Sequence, residues 1–253
     1  MRYYEVATIK THVYADGICT MSLKAPGIAR NAAPGQFVMV YLDNEAHLLP
    51  RPISLFDVDK TNGVITLVYA IVGVGTKIMS EWPVGHMFKM LGALGTGFDI
   101  ENSGKKAALI GGGIGTPPLF FLAKELNHKG VETDVYMGFR QTPPGFAQCF
   151  DTLSNNITIV TEDGSCKNKG YVTSFLPSNP AYDIIYTCGP IPMLMAVAEY
   201  AHFHNIPCQV SVEERMACGL GACKGCVVKT RSGYQLCCAE GPVFDSKEVI
   251  WNA

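Results

Sequence analysis

The sequence is short of charge. Only 17% of its 253 residues are Asp, Glu, Lys or Arg, and they almost cancel at a net charge of −2, with a pI near 6.3. With no excess of either sign, there is no electrostatic reason for nucleic acid or an anionic membrane surface to be the main partner. Long apolar runs are also missing: none approaches the roughly 20 residues of a membrane span. The opening stretch MRYYEVATIK lacks the apolar core and small-residue cleavage site of a secretory leader. We therefore expect a soluble, cytoplasmic protein with no membrane and no nucleic acid among its partners. Internal repeats and low-complexity tracts are absent as well. What the chain has is 48% hydrophobic residues, enough at this length to bury two cores, or two and a small appendage.

It also has ten cysteines, five of them between Cys218 and Cys238. Such clustering without a secretory leader favours a metal centre over a disulfide framework. The other five, Cys19, Cys149, Cys166, Cys188 and Cys208, are scattered singly and read mostly as small buried hydrophobes.

Residues 1–100 alternate short β-rich runs, such as YEVATIKTHVY, GICTMSLKA, FVMVYL and VITLVYAIV, with Gly, Pro, Asn and Asp turn signals. This pattern predicts an antiparallel sheet closed into a barrel or sandwich, with a single helix around GTKIMSEW. The polar stretch ENSGKK at 101–106 marks a boundary. Beyond it, apolar strands alternate with helices to about residue 209, which predicts a parallel sheet covered on both faces. Residues 210–253 follow as a third, cysteine-bearing piece.

Each part contains a candidate site. LIGGGIGTPPL at 109–119 is a strand, a glycine turn and a helix start. Gly111, Gly112, Gly113 and Gly115 would let a dinucleotide phosphate reach backbone N–H groups. The run is not the G-x-G-x-x-G fingerprint, because Pro117 and Pro118 occupy the helix start, and an ordinary tight turn is the alternative. YTCGP at 186–190 ends a later strand, where ligands of open α/β sheets bind. There Cys188 and Gly189 leave room for a flat ring, although a plain turn with Pro190 starting the next helix reads equally well. In the first part, Arg51 is a planar fork suited to a pyrophosphate, and Ser54 could face a flavin. Gly75 and Thr76 open a helix whose amides could hold an anion. The alternatives are a surface arginine and a helix cap.

Cys218-x4-Cys223-x2-Cys226 has the plant-type ferredoxin spacing, which holds a 2Fe-2S cluster with a fourth thiolate from further along the chain. Structural zinc usually takes two separated C-x2-C pairs, whereas Cys237 and Cys238 are adjacent. Iron and sulfide are favoured, and Gly219, Gly221 and Gly225 give the loop little bulk, so that amides can point at sulfur.

Taken in order, RPIS and GT, then GGGIGTPPL and CGP, then SVEERMACGLGACKGC and CAEGPVF resemble the electron-transfer subunits of class 1B dihydroorotate dehydrogenases, within the ferredoxin–NADP reductase superfamily. The resemblance covers essentially the whole chain. It implies a multidomain β and α/β fold: an antiparallel β-barrel FAD domain (1–100), a parallel α/β NAD-binding domain (101–209) and a 2Fe-2S segment (210–253). It implies that Arg51, Pro52, Ile53 and Ser54 hold FAD, with Val68, Tyr69, Ala70, Gly75 and Thr76 lining it. NAD(H) as co-substrate would lie against Gly111, Gly112, Gly113, Gly115, Gly189 and Pro190, and Ser54 and Cys188 would flank the reacting rings. Cys218, Cys223, Cys226 and Cys238 would ligate the cluster, leaving Cys237 a bystander. The implied partner is an FMN-containing dihydroorotate dehydrogenase catalytic subunit, in a heterotetramer with two copies of each chain. Two departures stand out: Ala70 replaces a frequent basic residue, and Glu240 replaces an expected Asp. Related flavin and iron–sulfur subunits of ferredoxin:NADP oxidoreductases are the alternative within the superfamily, and a zinc-binding adaptor is the alternative outside it.

Overall fold

The turn-punctuated strands of the first hundred residues close on themselves. In the computed structural model, which describes residues 3–14, 17–42, 47–154 and 156–251, six antiparallel strands form the barrel. They are β1 (Tyr3–Val13), β2 (Ile18–Lys24), β3 (Phe37–Val40), β4 (Arg51–Asp59), β5 (Val64–Ala70) and β6 (Met87–Leu94), in the spatial order β1-β2-β5-β4-β3-β6. Alternation sorts the side chains: in β2, Cys19, Met21 and Leu23 are fully buried, while Ile18, Thr20 and Ser22 stay half-buried outside. Two helices accompany the barrel. The single turn α1 (Pro26–Ala29), absent from the sequence expectation, starts on a proline whose fixed φ suits a first helical turn. The helix α2 (Val74–Ser80) covers the expected GTKIMSEW region.

The next unit is a seven-stranded sheet. It contains β7 (Lys106–Gly112), β8 (Glu132–Phe139), β9 (Asn156–Thr161), β10 (Asn168–Lys169), β11 (Ile184–Cys188), β12 (Cys208–Ser211) and β15 (Val243–Asp245), ordered β10-β9-β8-β7-β11-β12-β15. All pairings are parallel except β12 with β15. Ala107 and Leu109 face the helix α3 (Pro118–His128), whereas Ala108 and Ile110 face the helix α4 (Ile191–Phe203) on the opposite side. This two-sided burial is why the strands read as continuous apolar runs.

The cysteine-bearing piece contributes the hairpin β13 (Val227–Thr230) and β14 (Gly233–Leu236) and is stitched to both larger units. Its strand β15 extends the parallel sheet. Pro242 bridges Thr96 at the end of the barrel, where Thr96 N donates to Gly241 O at 2.6 Å and Val243 N to Thr96 O at 3.4 Å. The connection between barrel and sheet is clamped too: Gln209 Oε1 accepts from Asp99 N at 2.9 Å, and Tyr186 Oη donates to Asp99 O at 2.8 Å.

Candidate cofactor and electron-transfer site

Strand β4 begins with the RPIS motif, and alternation separates its residues. Ile53 leans into the barrel core with Leu55, whereas Pro52 and Ser54 lie on the outer face, the parity of Phe56, which packs against α3. Arg51 folds over the start of α2, its Nη1 donating to Leu49 O. Gly75 admits it there, since a β-carbon on that glycine would run into the guanidinium. Thr76 Oγ1 accepts from Val72 N at 3.1 Å and Gly73 N at 3.2 Å, fixing the loop that enters α2. A permanently charged fork beside a helix start suits a pyrophosphate. On β5, Val68 and Ala70 share the outer face, but Tyr69 is turned inward, 3% exposed and packed with the barrel core opposite Cys19. Its burial raises the phenol's pKa. Ala70, where a basic residue was expected, is half-buried opposite Ile18.

The glycine turn and the CGP turn, far apart in sequence, meet at the carboxyl edge of the parallel sheet. Cys188 pairs with Gly111 across β11 and β7, and Thr187 Oγ1 donates to Ile110 O at 2.8 Å. Gly115 lies directly on Gly189: a β-carbon there would sit 2.5 Å from Gly189 Cα and 2.7 Å from its N. Likewise one on Gly112 would sit 2.8 Å from Pro190 Cδ. Gly113, in contrast, faces open space with φ +53°. Buried Thr116 presents an Oγ1 with no hydrogen-bond partner in the same turn. Small residues and an open edge leave room for a flat ligand. The Cys188 thiol is pushed up to about 12 by burial, with Ser211 opposing, so it stays neutral near pH 7 and is not an activated nucleophile.

The cysteine loop directs amides at sulfur. Cys218 Sγ accepts from Leu220 N and Cys223 N, both at 3.4 Å, Cys238 Sγ accepts from Gly221 N at 3.1 Å, and Cys226 Sγ accepts from Cys238 N at 3.4 Å. The amide of Cys223, with those of Leu220 and Ala222, lowers Cys218 from 9.0 to about 6, which favours the thiolate near neutral pH. Cys238 is raised to about 12 by burial and by Cys226 beside it. Cys237 points away: fully buried, its thiol donates to Val212 O at 3.2 Å, and burial raises its pKa. Among the described residues no three Cys, His, Asp or Glu side chains converge on a point that would hold a single metal ion. The fit to a cluster rests on the four thiols and on the amides aimed at three of them, Cys218, Cys226 and Cys238. Glu240, the other departure, has a local task, accepting from Leu236 N at 2.6 Å to close the turn that carries Cys237 and Cys238.

The loop also touches the barrel. Gly219, at φ +68°, seats its Cα on β3 and β6, where a β-carbon would stand 2.6 Å from Met39 Cγ and 3.2 Å from Leu94 Cδ1. Sequence reasoning did not single out Met39. Period-two alternation along FVMVYL would have placed it with Phe37 on one face, but nothing local says what covers that face.

A closed barrel with an arginine fork, a parallel sheet with a glycine-lined carboxyl edge and a thiol loop between them define an iron–sulfur reductase of the ferredoxin–NADP reductase type. Residues 213–250 match the iron–sulfur cluster binding domain of dihydroorotate dehydrogenase B. The electron transfer subunit of dihydroorotate dehydrogenase B (NAD(+)) from Clostridium acetobutylicum is 39% identical over 94% of this chain and 93% of its own. That from a Geobacillus species is 37% identical over 99% of each. Among solved structures, an NADH-dependent reduced ferredoxin-NADP oxidoreductase superposes with a TM-score of 0.87 at 26% identity, over 97% of this chain and 89% of that one. The chain belongs to the family of dihydroorotate dehydrogenase B (NAD(+)) electron transfer subunits. Among the described residues no helix is long and apolar enough to cross a membrane.

Proposed function

We propose that this chain oxidises NADH and passes the electrons, through FAD and a 2Fe-2S cluster, to an FMN-containing subunit that interconverts dihydroorotate and orotate for pyrimidine synthesis. The proposed assembly is a heterotetramer with two copies of each chain, working in the cytoplasm. When bound, the flavin accepts a hydride as two electrons and the cluster carries them one at a time. The protein's residues do the rest. Arg51 and the start of α2 grip the pyrophosphate, and Pro52, Ser54, Val68 and Ala70 offer the outer barrel face to the isoalloxazine, while Tyr69 contributes only backbone there. Gly111 to Gly115 and Gly189-Pro190 hold the nicotinamide nucleotide at the sheet edge, with neutral Cys188 as a wall. Cys218, Cys223, Cys226 and Cys238 ligate the cluster. Among the described residues there is no (β/α)8 barrel, and we assign the chemistry on dihydroorotate to the partner. Residues 1–100, 101–209 and 210–253 remain our division into functional units, with β15 shared by the last two.

The observation that carries this reading is the contact of Gly219 with Met39, the strand partner of Pro52, which brings the thiol loop beside the flavin strand. The test is an anaerobic visible spectrum of the purified chain with flavin, iron and sulfide quantified before and after NADH. One FAD, two irons and two sulfides, bleached by NADH, is the expected result; a colourless, zinc-containing protein overturns it.

A further inference from the structure

Met39 is fully buried in the middle of β3. Its pairing partners are Pro52 on β4 and Leu91 on β6, and paired residues of adjacent antiparallel strands lie only about 5 Å apart. A pair shares one face of the sheet, so the Met39 side chain projects from the outer face on which Pro52 and Ser54 lie. That side chain meets the cysteine loop: Cγ and Sδ lie under Gly219, at 2.6 and 3.1 Å from where a β-carbon would be. The loop residue before Gly219 is Cys218. Reading across the surface, the order is Pro52, Met39, Gly219, Cys218. Buried neighbours Phe37, Leu91 and Leu94 belong to the same apolar cluster, which also contains Cys226 and Cys238. Behind this seat, Gln36 Nε2 donates to Gly95 O at 2.8 Å while the Gln36 backbone carbonyl accepts from Leu55 N at 3.0 Å, tying β4 to the end of β6.

We infer that Met39 is a positioning residue for electron transfer, the spacer whose volume sets the separation between the flavin strand and the cluster loop. This rests on the reading of FAD at Arg51–Ser54 and of the cluster at Cys218. The step concerned moves one electron from the reduced flavin to one ferric ion of the cluster, which becomes ferrous. Because Gly219 has no side chain, the loop backbone rests directly on the Met39 side chain, and its height follows the thioether. A flexible, polarisable side chain fills such an irregular gap well, and leucine comes nearest to it in volume. Removing the Met39 side chain leaves a cavity over which the unsupported loop rocks, so that fewer molecules hold the flavin strand and the cluster loop in the productive arrangement.

The test compares the wild type with Met39→Leu and Met39→Ala by anaerobic stopped flow with NADH. Flavin bleaching is followed separately from the absorbance and electron paramagnetic resonance of the reduced cluster, and iron, sulfide and flavin are quantified. We expect flavin bleaching at the wild-type rate in both variants. Cluster reduction should slow at least about tenfold in Met39→Ala and stay within about threefold of wild type in the near-isosteric Met39→Leu. Full cluster content with wild-type cluster reduction in Met39→Ala would overturn the inference, leaving Met39 a packing residue while the FAD and cluster reading stands. Absence of flavin or cluster from the wild type would instead sink the reading itself. If Met39→Ala loses the cluster, Met39→Val, which removes less, is judged by the same criterion.

Discussion

Replacing Cys237 and Cys238 one at a time by serine asks which of two adjacent thiols belongs to the cluster. In Cys237→Ser the hydroxyl occupies the thiol's place and can keep donating to Val212 O, now 3.2 Å from Sγ. The expected loss is that of a slightly lengthened neutral hydrogen bond and a small volume, about 1 kcal/mol, or about 2–4 °C in Tm for a chain of this size. Cys237→Ala leaves the Val212 carbonyl without that partner and is expected to cost about 1–3 kcal/mol, still with the cluster in place. Cys238→Ser has a different outcome. It removes the sulfur that accepts from Gly221 N and leaves three thiolates for a centre that needs four. Because ligation and folding are linked in such segments, iron and sulfide should fall well below stoichiometric and Tm should drop further than in Cys237→Ala. The assay is iron and sulfide content with the visible spectrum, alongside Tm. A Cys237→Ser protein without cluster beside a Cys238→Ser protein that keeps it would refute the ligand assignment.

Two further outcomes follow from the same geometry. Gly115→Ala places a methyl against the backbone of Gly189 and Cys188, the nearest atom 2.5 Å away. Neither turn's backbone can yield cheaply, so the overpacking should cost about 1–3 kcal/mol and raise KM for NADH at least about tenfold, with flavin and iron content unchanged; an unchanged KM would remove the glycine turn from the nucleotide site. In iron-free protein, Cys218 should be the fastest thiol to alkylate near neutral pH, since its pKa is held at about 6 by the Cys223 and Leu220 amides. The rate should fall as pH drops through about 6. For the same reason, the loop's gain in stability from the thiolate is complete above 9.0 and fades as pH falls to about 6. Mass-spectrometric mapping of the alkylated thiols across pH checks this, and a Cys218 that reacts no faster than Cys223 at pH 7 would show that the amides do not reach its sulfur.

The barrel and the parallel sheet were legible because each is written in a period. Alternation in ICTMSLK and the unbroken apolar run of IIYTC record which faces are buried. The single turn at Pro26 escaped because four residues carry no periodicity. The strand Val243–Asp245 escaped because three residues in GPVFDS gain their place only from an edge made elsewhere. Of the site residues, the glycines and the cysteine spacing showed in the sequence because each needs a special local conformation or chemistry. Tyr69 was grouped with Val68 and Ala70 as a flavin-lining run, yet strand parity sends its ring into the barrel. Adjacency alone does not separate Cys237 from Cys238; the resemblance selects Cys238, and the bond of the Cys237 thiol to the carbonyl of Val212, 25 positions away, supports that choice.

The pairing of β15 with β12 sets an order of events during synthesis. Until residues 243–245 have left the ribosome, the ladder groups of β12 on that side have no strand to bond with, and an open edge of that kind invites pairing with another chain. The segment that closes it begins five positions after Cys238. Ordering of the thiol loop and sealing of the sheet therefore depend on one short stretch of chain, and protein prepared without iron is expected to aggregate more readily than the loaded form.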